Sequence, residues 1–406
     1  MLTLENFSKA REVLKTVIRP TSLIFSEYFS RTTGNQVYIK PENLQITGAY
    51  KIRGAFYKLS EMSADQRKKG IITSSAGNHA QGIAYAAQLK KCKATIVMPT
   101  TTPLLKVNNT KRYGAEVVLH GDIYDHAYHH AIALAKEHGY EFVHPFDDLQ
   151  IATGQGTIAF EILEDLDKID IILVPIGGGG LAAGVATLAK MLKPEIQVIG
   201  VEPTGAASMS ASLSNGTITS LTTVRTIADG VAVQTPGKIV FPYIQQNLDY
   251  IITVGDTELP NIFLDLMENH KMIAETSGLL SLAAIRHLGC TNKTIASIVT
   301  GGNIDVITMP SLLQHGLVHR SRVFTVSLHL PDRPGELSTV SGIIAQARGN
   351  VVKLEHNQFY DINRSAAVEL RITIEGFGKE HKDIIFNKLI EAGYNPISVN
   401  PATSFY

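Results

Sequence analysis

The chain has 406 residues, of which 44% are hydrophobic, and its 37 basic residues balance 37 acidic ones. A chain of this length can bury a large core in two or three domains, and its balanced charge, without a basic stripe, argues against nucleic acid as a partner. Cys92 and Cys290 are too few for a disulfide framework and are predicted to be buried, reduced thiols. With no signal-peptide pattern and no run of ~18 apolar residues, we expect a cytoplasmic protein that does not enter a membrane.

Short apolar runs alternate with helical patterns up to about residue 320. IITSS at 71, KATIVMP at 93, IILVPI at 171 and QVIGVEP at 197 are rich in β-branched residues and are separated by segments of helix length. Continuous apolar strands that alternate with helices are typical of a parallel sheet covered on both faces. The pattern therefore predicts an α/β fold, in two subdomains, over residues 1–320.

A different pattern follows the stretch from Leu313 to Arg322, which lacks periodicity and predicts a domain boundary. From residue 324 onward the order is strand FTVSLHL, turn PDRPGEL, helix LSTVSGIIAQARG, strands VVKLEHNQFY and AAVELRITIEG, helix GKEHKDIIFNKLIEAG and strand PISV. This β-α-β-β-α-β order is the ferredoxin-like arrangement. Residues 324–406 are numerous enough to fold independently.

The first candidate reactive group in chain order is Lys51, which lies between Tyr50 and Ile52 in TGAYKIRGA. A lysine among apolar neighbours loses its charge more readily than a surface lysine, and the neutral amine is the form that attacks an aldehyde to give a Schiff base. Most lysines are solvated surface residues. The local sequence alone therefore does not separate a reactive Lys51 from that ordinary role.

A second candidate lies where IITSS leads into a helix through Ser75, Ala76 and Gly77. Free backbone N–H groups at a helix start, with the positive end of the helix dipole behind them, bind a carboxylate or a phosphate. The serine and asparagine side chains fit a role as simple helix caps equally well.

The third candidate is the run of four glycines, Gly177–Gly180, between strand IILVPI and an alanine-rich helix. Four consecutive glycines let the main chain wrap a phosphate with its N–H groups. However, Gly177, Gly179 and Ala182 also fit the G-x-G-x-x-A pattern, and Glu202 ends the next strand, as in a dinucleotide site. The run predicts a phosphate and leaves a nicotinamide enzyme open.

Neither a metal centre nor a pair of catalytic acids is predicted. His126, His129 and His130 have helical i, i+3, i+4 spacing, but no carboxylate accompanies them at ligand spacing, which favours a solvated helix face. Asp147 and Asp148 are adjacent and would point apart on a strand or loop. Helix capping or turn formation is the better interpretation of this acidic pair.

Taken together and in this order, AYKIRGA, SSAGNHAQG, the four glycines and IVTGGN resemble the fold-type II (tryptophan synthase β-like) pyridoxal-phosphate enzymes, and specifically the threonine ammonia-lyases. The C-terminal segment with LPDRPGEL resembles an ACT domain. The resemblance covers nearly the whole chain. It favours pyridoxal 5′-phosphate over a dinucleotide, because a dinucleotide site explains neither Lys51 nor the Asn78 loop.

The resemblance implies a role for each cofactor-binding residue. Lys51 would attach the cofactor as a Schiff base and act as the base at the substrate Cα, while Tyr50 would pack on the pyridine ring. Gly177–Gly180 would hold the cofactor phosphate, and Asn78 would hydrogen-bond its phenolic oxygen. Thr300 would face the pyridine nitrogen. A neutral hydroxyl there leaves that nitrogen unprotonated, which favours prompt loss of the β-substituent.

The implied reaction is the deamination of L-threonine to 2-oxobutanoate and ammonia, and of L-serine to pyruvate. The sequence leaves open whether this reaction serves isoleucine biosynthesis or the degradation of threonine. The main chain would hold the substrate carboxylate at Ser75, Ala76, Gly77, Asn78 and His79. The threonine-to-serine preference stays open, because one methyl group in a pocket is worth only ~1–3 kcal/mol. A serine racemase-like isomerase and a non-catalytic amino-acid sensor remain alternatives, although an intact Lys51 counts against the sensor.

Two positions depart from the family's pattern. Ala49 stands where much of the family has serine two residues before the lysine, so no hydroxyl there contacts the cofactor phosphate. Relatives that bind a divalent cation use an acidic pair after the strand that ends at Glu202, and the second position here is Ser208. We therefore predict no divalent metal site and leave a monovalent cation open.

In the C-terminal segment, the resemblance assigns Asp332 and Gly335 to an amino-acid effector site at an interface between two copies. Gly335 would permit a close approach of backbone N–H groups to the ligand. The alternative is that Pro334 and Gly335 only form a tight turn. The effector site implies a homo-oligomer, a tetramer or a dimer, under allosteric control by a small metabolite such as isoleucine or valine.

Overall fold

The computed structural model describes residues 1–357 and 368–399. The chain divides into two compact units, Met1–Asp305 and Val306–Tyr406. The aperiodic stretch from Leu313 to Arg322 is helical as far as His319, and this helix belongs to the second unit. Its buried residues are Leu312 and Gly316. Because a buried glycine adds no apolar signal, the sequence pattern did not reveal the helix.

The first unit, which is described throughout, alternates strands with helices. Its strands are β1 (Ile24–Phe25), β2 (Gln36–Pro41), β3 (Ile71–Ser74), β4 (Ala94–Met98), β5 (Glu116–Leu119), β6 (Glu141–Phe142), β7 (Ile171–Pro175), β8 (Gln197–Pro203), β9 (Tyr250–Val254) and β10 (Thr294–Val299). Its helices are α1 (Leu4–Leu14), α2 (Glu27–Thr33), α3 (Lys51–Glu61), α4 (Ala64–Lys69), α5 (Asn78–Lys90), α6 (Leu104–Lys111), α7 (Tyr124–His138), α8 (Leu149–Gly156), α9 (Ile158–Asp165), α10 (Gly180–Leu192), α11 (Ser208–Asn215), α12 (Phe241–Asn247), α13 (Leu259–His270) and α14 (Thr276–Ala284). Short 3₁₀ turns cover Glu42–Leu44, Thr204–Ala206, Asp229–Val231, Asp256–Glu258 and Ile285–His287.

These strands form two sheets, with the orders β1-β2-β10-β7-β8-β9 and β5-β4-β3-β6. Neighbouring strands run parallel, except that β1 runs antiparallel to β2. Every residue of β3, β4 and β7 is buried, as the continuous apolar runs predicted. In open parallel sheets ligands bind beyond the carboxyl ends of the strands. The segments after β3, β7 and β10 carry the predicted site residues, and the α/β prediction is confirmed.

Close packing of α8 on α10 fixes the start of α10. A Cβ atom on Gly184 would lie 2.1 Å from the carbonyl oxygen of Ala152, and one on Gly156 would lie 2.7 Å from that of Gly184. These glycines let the two backbones touch, which larger side chains would prevent. All residues of α10 from Gly180 to Ala189 are buried, so the helix is a rigid support for the loop before it.

The second unit contains α15 (Thr308–His319), β11 (Val323–Leu330), α16 (Glu336–Gln346), β12 (Asn350–Asn357), β13 (Val368–Glu375), α17 (Lys379–Glu391) and β14 (Ile397–Val399). Its antiparallel sheet has the order β12-β13-β11-β14. From β11 onward this is the predicted ferredoxin-like arrangement. Residues 358–367, which hold the end of one predicted strand, the start of the next and the connection between them, lie outside the described residues, as do residues 400–406.

The predictions for the two cysteines and for the acidic pair have clear outcomes. Cys92 and Cys290 are free but only half-buried, so the prediction of buried thiols was wrong; each follows a helical segment, where the chain turns at the surface. Asp148 caps α8 by accepting the N–H groups of Gln150 and Ile151, as the capping interpretation predicted. Within residues 1–357 and 368–399, no helix is long and apolar enough to cross a membrane.

Candidate active site

Lys51 is the first residue of α3, and its side chain reaches a large cavity. Its Nζ donates a hydrogen bond of 2.9 Å to the carbonyl oxygen of Pro145, and the backbone N–H of Tyr50 donates to the carbonyl oxygen of Thr300 at 3.1 Å. Burial lowers the pKa of Lys51 to about 8, although the nearby carboxylate of Glu275 opposes the shift. A neutral amine is therefore populated near neutral pH, as Schiff-base formation needs.

A buried ionic cluster holds α3 in place behind Lys51. The Arg53 guanidinium contacts Glu42 at 2.7 and 2.8 Å and Glu161 at 2.5 and 2.9 Å, and Lys40 Nζ contacts Glu161 at 2.5 Å. Arg53 and Glu42 are fully buried, so the loss of either partner would leave an uncompensated charge in the core. The first turn of α3 is thus tied to the 3₁₀ turn after β2 and to α9.

The cavity has a volume of about 890 Å³, within the usual range for cofactor and ligand sites. Each residue predicted for the cofactor or the substrate carboxylate lines it. These residues are Tyr50, Lys51, Ser75, Ala76, Gly77, Asn78, His79, Gly177, Gly178, Gly179, Gly180 and Thr300. The structure thus brings together segments that lie up to 250 positions apart in the printed sequence.

The glycine loop between β7 and α10 has room for no side chain. A Cβ atom on Gly178 would lie 2.1 Å from the ring of Phe146, and one on Gly180 would lie 2.6 Å from the Phe146 carbonyl oxygen. Gly179 adopts the left-handed conformation, with φ of 103°, directly before α10. This bare loop at a helix N-terminus fits the phosphate of pyridoxal phosphate, and the lysine of lowered pKa in the same cavity fits its aldehyde.

Helix α5 begins at Asn78 without a side-chain cap. The cap residue is Gly77, whose own N–H donates to Ser75 Oγ at 3.3 Å. The first N–H groups of α5 therefore face the cavity with the positive end of the helix dipole behind them. Because no side chain caps the helix, the anion-binding interpretation is favoured over simple capping.

Several polar residues of the cavity were not predicted from the sequence. Glu275 accepts a hydrogen bond of 2.6 Å from Asn78 Nδ2, and Lys106 pairs with Asp229 at 2.8 Å. Burial, reinforced by the Asp229 carboxylate, raises the pKa of Glu275 to about 7, against opposing effects from Asn78, Lys106 and Lys51. An acid before a run of small residues is an ordinary helix-start pattern, so the sequence offered no signal.

His144 is another cavity residue that was not predicted. Its Nδ1 accepts the backbone N–H groups of Asp147 at 2.9 Å and Phe146 at 3.3 Å, so the ring proton sits on Nε2. Burial lowers the pKa of His144, and burial together with the charge of Lys51 lowers that of His79 well below its usual value. Both imidazoles beside the reactive lysine are therefore neutral at physiological pH.

Glu202 is hydrogen-bonded to the backbone that follows it in the chain. Its carboxylate accepts the N–H groups of Met209 and Ser210, each at 2.8 Å, at the start of α11, and burial raises its pKa to about 7. The carboxylate is therefore not available to a ribose, which removes the dinucleotide interpretation.

Across the described parts of the chain, no group of three or more His, Cys, Asp or Glu side chains could hold a metal ion. Ala49, where much of the family has serine, is buried and pairs with Gly301.

The two-sheet fold and the lysine-and-glycine cavity define a pyridoxal-phosphate-dependent enzyme of the α/β class. Residues 14–301 match the family model described as pyridoxal-phosphate dependent enzyme. The chain is 40% identical to an L-threonine ammonia-lyase of Thermotoga maritima, over 97% of this chain and 98% of that protein. It is also 40% identical to an L-threonine ammonia-lyase of Geobacter sulfurreducens over the same shares. The chain belongs to the pyridoxal-phosphate-dependent enzyme family, and its cofactor is pyridoxal 5′-phosphate.

Solved structures agree with this assignment. Threonine deaminase isoform 2 from Solanum lycopersicum superimposes with a TM-score of 0.73 at 37% identity, covering 77% of this chain and 94% of that one. A serine racemase from Dictyostelium discoideum superimposes with a TM-score of 0.70 at 34% identity, covering 75% of this chain and 99% of that one. The fold is thus shared by deaminases and racemases, and the residues of the cavity must distinguish the two activities.

Proposed function

We propose that the protein deaminates L-threonine to 2-oxobutanoate and ammonia by elimination of water, and L-serine to pyruvate in the same way. One observation carries the proposal: a lysine of lowered pKa and a bare glycine loop line the same cavity, and His79 and His144 in that cavity are neutral. Relatives named L-threonine ammonia-lyase align along nearly the full chain, which supports the same conclusion.

When bound, pyridoxal phosphate supplies an aldehyde for the substrate amine and an electron sink that acidifies the Cα–H bond. The residues that would hold it are Lys51 at the aldehyde, Gly177–Gly180 and the N-terminus of α10 at the phosphate, Asn78 at the phenolic oxygen and Thr300 at the pyridine nitrogen. Tyr50 forms a wall of the same cavity beside Lys51, with its ring centroid 5.3 Å from Nζ.

Lys51 performs the proton transfer. Its neutral amine takes the proton from the substrate Cα, and the hydrogen bond to Pro145 orients Nζ for this step. The Cα–H electron pair forms the Cα–Cβ double bond as the Cβ–O bond breaks. The hydroxyl leaves as water with a proton that the cofactor phosphate would supply and that the Lys51 ammonium would replace. The resulting enamine is hydrolysed to the 2-oxo acid and ammonia. The N–H groups of Ala76, before α5, and of Asn78 and His79, at its start, would hold the substrate carboxylate during this step. The N–H of Ser75 instead donates to the Val97 carbonyl oxygen at 3.2 Å, and that of Gly77 donates to Ser75 Oγ at 3.3 Å.

Incubation of the purified protein with L-threonine tests the proposal. We expect 2-oxobutanoate and ammonia in equal amounts, and pyruvate and ammonia from L-serine. D-Threonine serves as the control and should give neither product at a comparable rate. Failure to form a 2-oxo acid from either L-amino acid, with the cofactor bound, would refute the proposed activity.

Racemisation is the second candidate, because serine racemases from Dictyostelium discoideum and maize share this fold at 34% and 32% identity. Racemisation needs a proton donor on the substrate face opposite the base. Ala76 occupies the loop position at which the resemblance implies a serine in racemases, and alanine has no proton to give.

We therefore expect D-serine formation from L-serine to be at least about 100-fold slower than pyruvate formation. Ala76→Ser should increase D-serine formation, because the hydroxyl restores a donor, whereas Ala76→Val should not. Chiral chromatography of the products measures both rates. Comparable D-serine and pyruvate rates in the natural chain would contradict the assignment.

We further propose that the second unit regulates this activity through Asp332 and Gly335. A cavity of about 300 Å³ lies at this turn, lined by residues of Leu330–Leu337 and by His356, Val368 and Leu370. Gly335 is exposed and has φ of 99° directly before α16. This backbone conformation favours glycine over residues with a side chain. Both features support a small-molecule effector, for which isoleucine and valine are the first candidates, in a cytoplasmic homo-oligomer of isoleucine biosynthesis.

If the effector site is correct, Asp332→Asn should weaken the response to isoleucine or valine by about 10-fold while the activity without effector is unchanged. A chain truncated after Arg320 should stay active and unresponsive. The exposed Asp383 of α17 gives a matched control, because Asp383→Asn removes the same charge away from the cavity. An effector that acts equally on all four proteins would place regulation in the first unit and refute this proposal.

A further inference from the structure

Asn78 is held between Glu275 and Asn303, two side chains to which the reaction proposed above gives no role. Asn78 Nδ2 donates to Glu275 Oε1 at 2.6 Å, and Asn303 Nδ2 donates to Asn78 Oδ1 at 2.8 Å. We infer that Glu275 and Asn303 are positioning residues that orient the Asn78 amide so that its NH₂ group, and not its carbonyl, is offered to the cofactor's phenolic oxygen. The inference rests on the proposed function and on the cofactor contact assigned to Asn78.

The hydrogen-bond partners alone decide how an asparagine amide points, because its two ends have nearly the same shape. An ionised carboxylate only accepts, so Glu275 requires the NH₂ end of Asn78. Asn303 is fixed in turn, since its Nδ2 also donates to the Thr47 carbonyl oxygen at 2.8 Å, and a carbonyl only accepts. The row of hydrogen bonds from Thr47 through Asn303 and Asn78 to Glu275 therefore ends in an acceptor on each side, and both amides have a fixed orientation.

This arrangement leaves one N–H of Asn78 for the cavity. An amide nitrogen carries two hydrogens, and Glu275 accepts one of them. Asn78 lines the same cavity as Lys51 and the glycine loop. The second hydrogen is a donor, which is what a phenolate oxygen requires. A flipped amide would direct a carbonyl oxygen there, and two acceptors would then face each other.

Packing around these hydrogen-bonded side chains explains Gly301 and Gly48, which have no role in the proposed reaction. A Cβ atom on Gly301 would lie 2.5 Å from Glu275 Oε1 and 3.0 Å from Asn78 Nδ2. A Cβ atom on Gly48, which has φ of 74°, would lie 2.4 Å from Asn303 Oδ1. Glycine at these two positions gives the three polar side chains the space to meet.

The charges around Glu275 make this orientation sensitive to pH. Glu275 is only 7% exposed, and the charged groups that face it are Asp229, Lys106 and Lys51. Its backbone N–H donates to Gly301, and its side chain lies at the start of α14, where the helix dipole favours the ionised form. Because burial and Asp229 raise its pKa to about 7, Glu275 is ionised above that pH and protonated below it. The Asn78 amide is therefore best oriented on the alkaline side of pH 7.

The test is the pH dependence of pyridoxal phosphate binding by the full chain, followed by the visible absorption of the bound cofactor. In the natural protein the dissociation constant should rise by about 10-fold as the pH falls through the titration of Glu275, the loss expected for one hydrogen bond to a charged group. Glu275→Gln has the same shape but no charge. We expect this variant to bind weakly and to lack the change near pH 7, keeping only the pH dependence that Lys51, with a pKa of about 8, gives to Schiff-base formation.

Two further variants keep the inference falsifiable. Asp229→Asn removes a charge that raises the pKa of Glu275 without touching Asn78, so the midpoint should move to lower pH. Asn303→Ala removes the donor to Asn78 and should weaken binding at every pH. A Glu275→Gln protein with the natural pH dependence, or an unmoved midpoint in Asp229→Asn, would overturn the inference. Failure of the natural protein to produce 2-oxobutanoate would instead refute the proposed function, which this binding experiment does not measure.

Discussion

Lys51→Ala should reduce 2-oxobutanoate formation from L-threonine by at least about three orders of magnitude. The change removes both the amine that attaches the cofactor and the base at the substrate Cα, so no part of the proposed proton transfer survives. Steady-state kinetics measures the loss, and circular dichroism shows whether the fold persists. We expect the fold to persist, because alanine fits the first turn of a helix.

Lys58→Ala is a matched control for this experiment. Lys58 lies on the same helix, but its Nζ pairs with Asp148 at 2.7 Å and does not line the cavity. The two side chains are only 14% and 18% exposed, so the change should cost some stability. Because it removes no group from the cavity, this variant should remain active. Near-normal turnover by Lys51→Ala, or equal losses in the two variants, would contradict the role assigned to Lys51.

Gly178→Ala should weaken pyridoxal phosphate binding by about 10- to 100-fold, the scale expected from overpacking. The added methyl group would lie 2.1 to 2.3 Å from ring atoms of Phe146, so either the loop or the ring must move. The loop is attached to the start of α10, and its displacement would misdirect the N–H groups toward the phosphate. Equilibrium titration of the cofactor-free protein with pyridoxal phosphate measures the effect.

A second-site change tests whether the clash is the cause. Phe146→Ala removes the ring that the new methyl group would meet, so the double variant with Gly178→Ala should recover part of the lost affinity. Gly342→Ala is the control, since its added Cβ in α16 has no atom within 4 Å among the described residues beyond its own helix. Unchanged cofactor affinity in Gly178→Ala would contradict the proposed role of this loop.

The strands and the cofactor-binding segments could be predicted from the sequence because their signals are local. β3, β4 and β7 are buried on both faces and therefore read as continuous apolar runs. Four consecutive glycines and a lysine beside an aromatic residue are also visible without a structure. Their meeting in one cavity could be expected only from the order of the motifs.

The rest of the site depends on contacts between distant residues. Glu275 and Asn303 reach Asn78 across 197 and 225 positions of the chain, and neither stands in a pattern that differs from an ordinary helix start or loop. His144 became notable only through the two backbone N–H groups that fix its tautomer. The helix α15 was missed because a glycine fills one of its buried positions.

Borohydride reduction of the purified protein, followed by mapping of the modified peptide, tests most directly whether Lys51 carries the cofactor. Reduction converts a lysine Schiff base into a stable secondary amine, so the attachment point survives proteolysis. The visible absorption band of the protein should disappear, and the cofactor should be found on the peptide that contains Lys51. Labelling of another lysine, or no labelled peptide from a protein that turns over threonine, would contradict the assignment of this site.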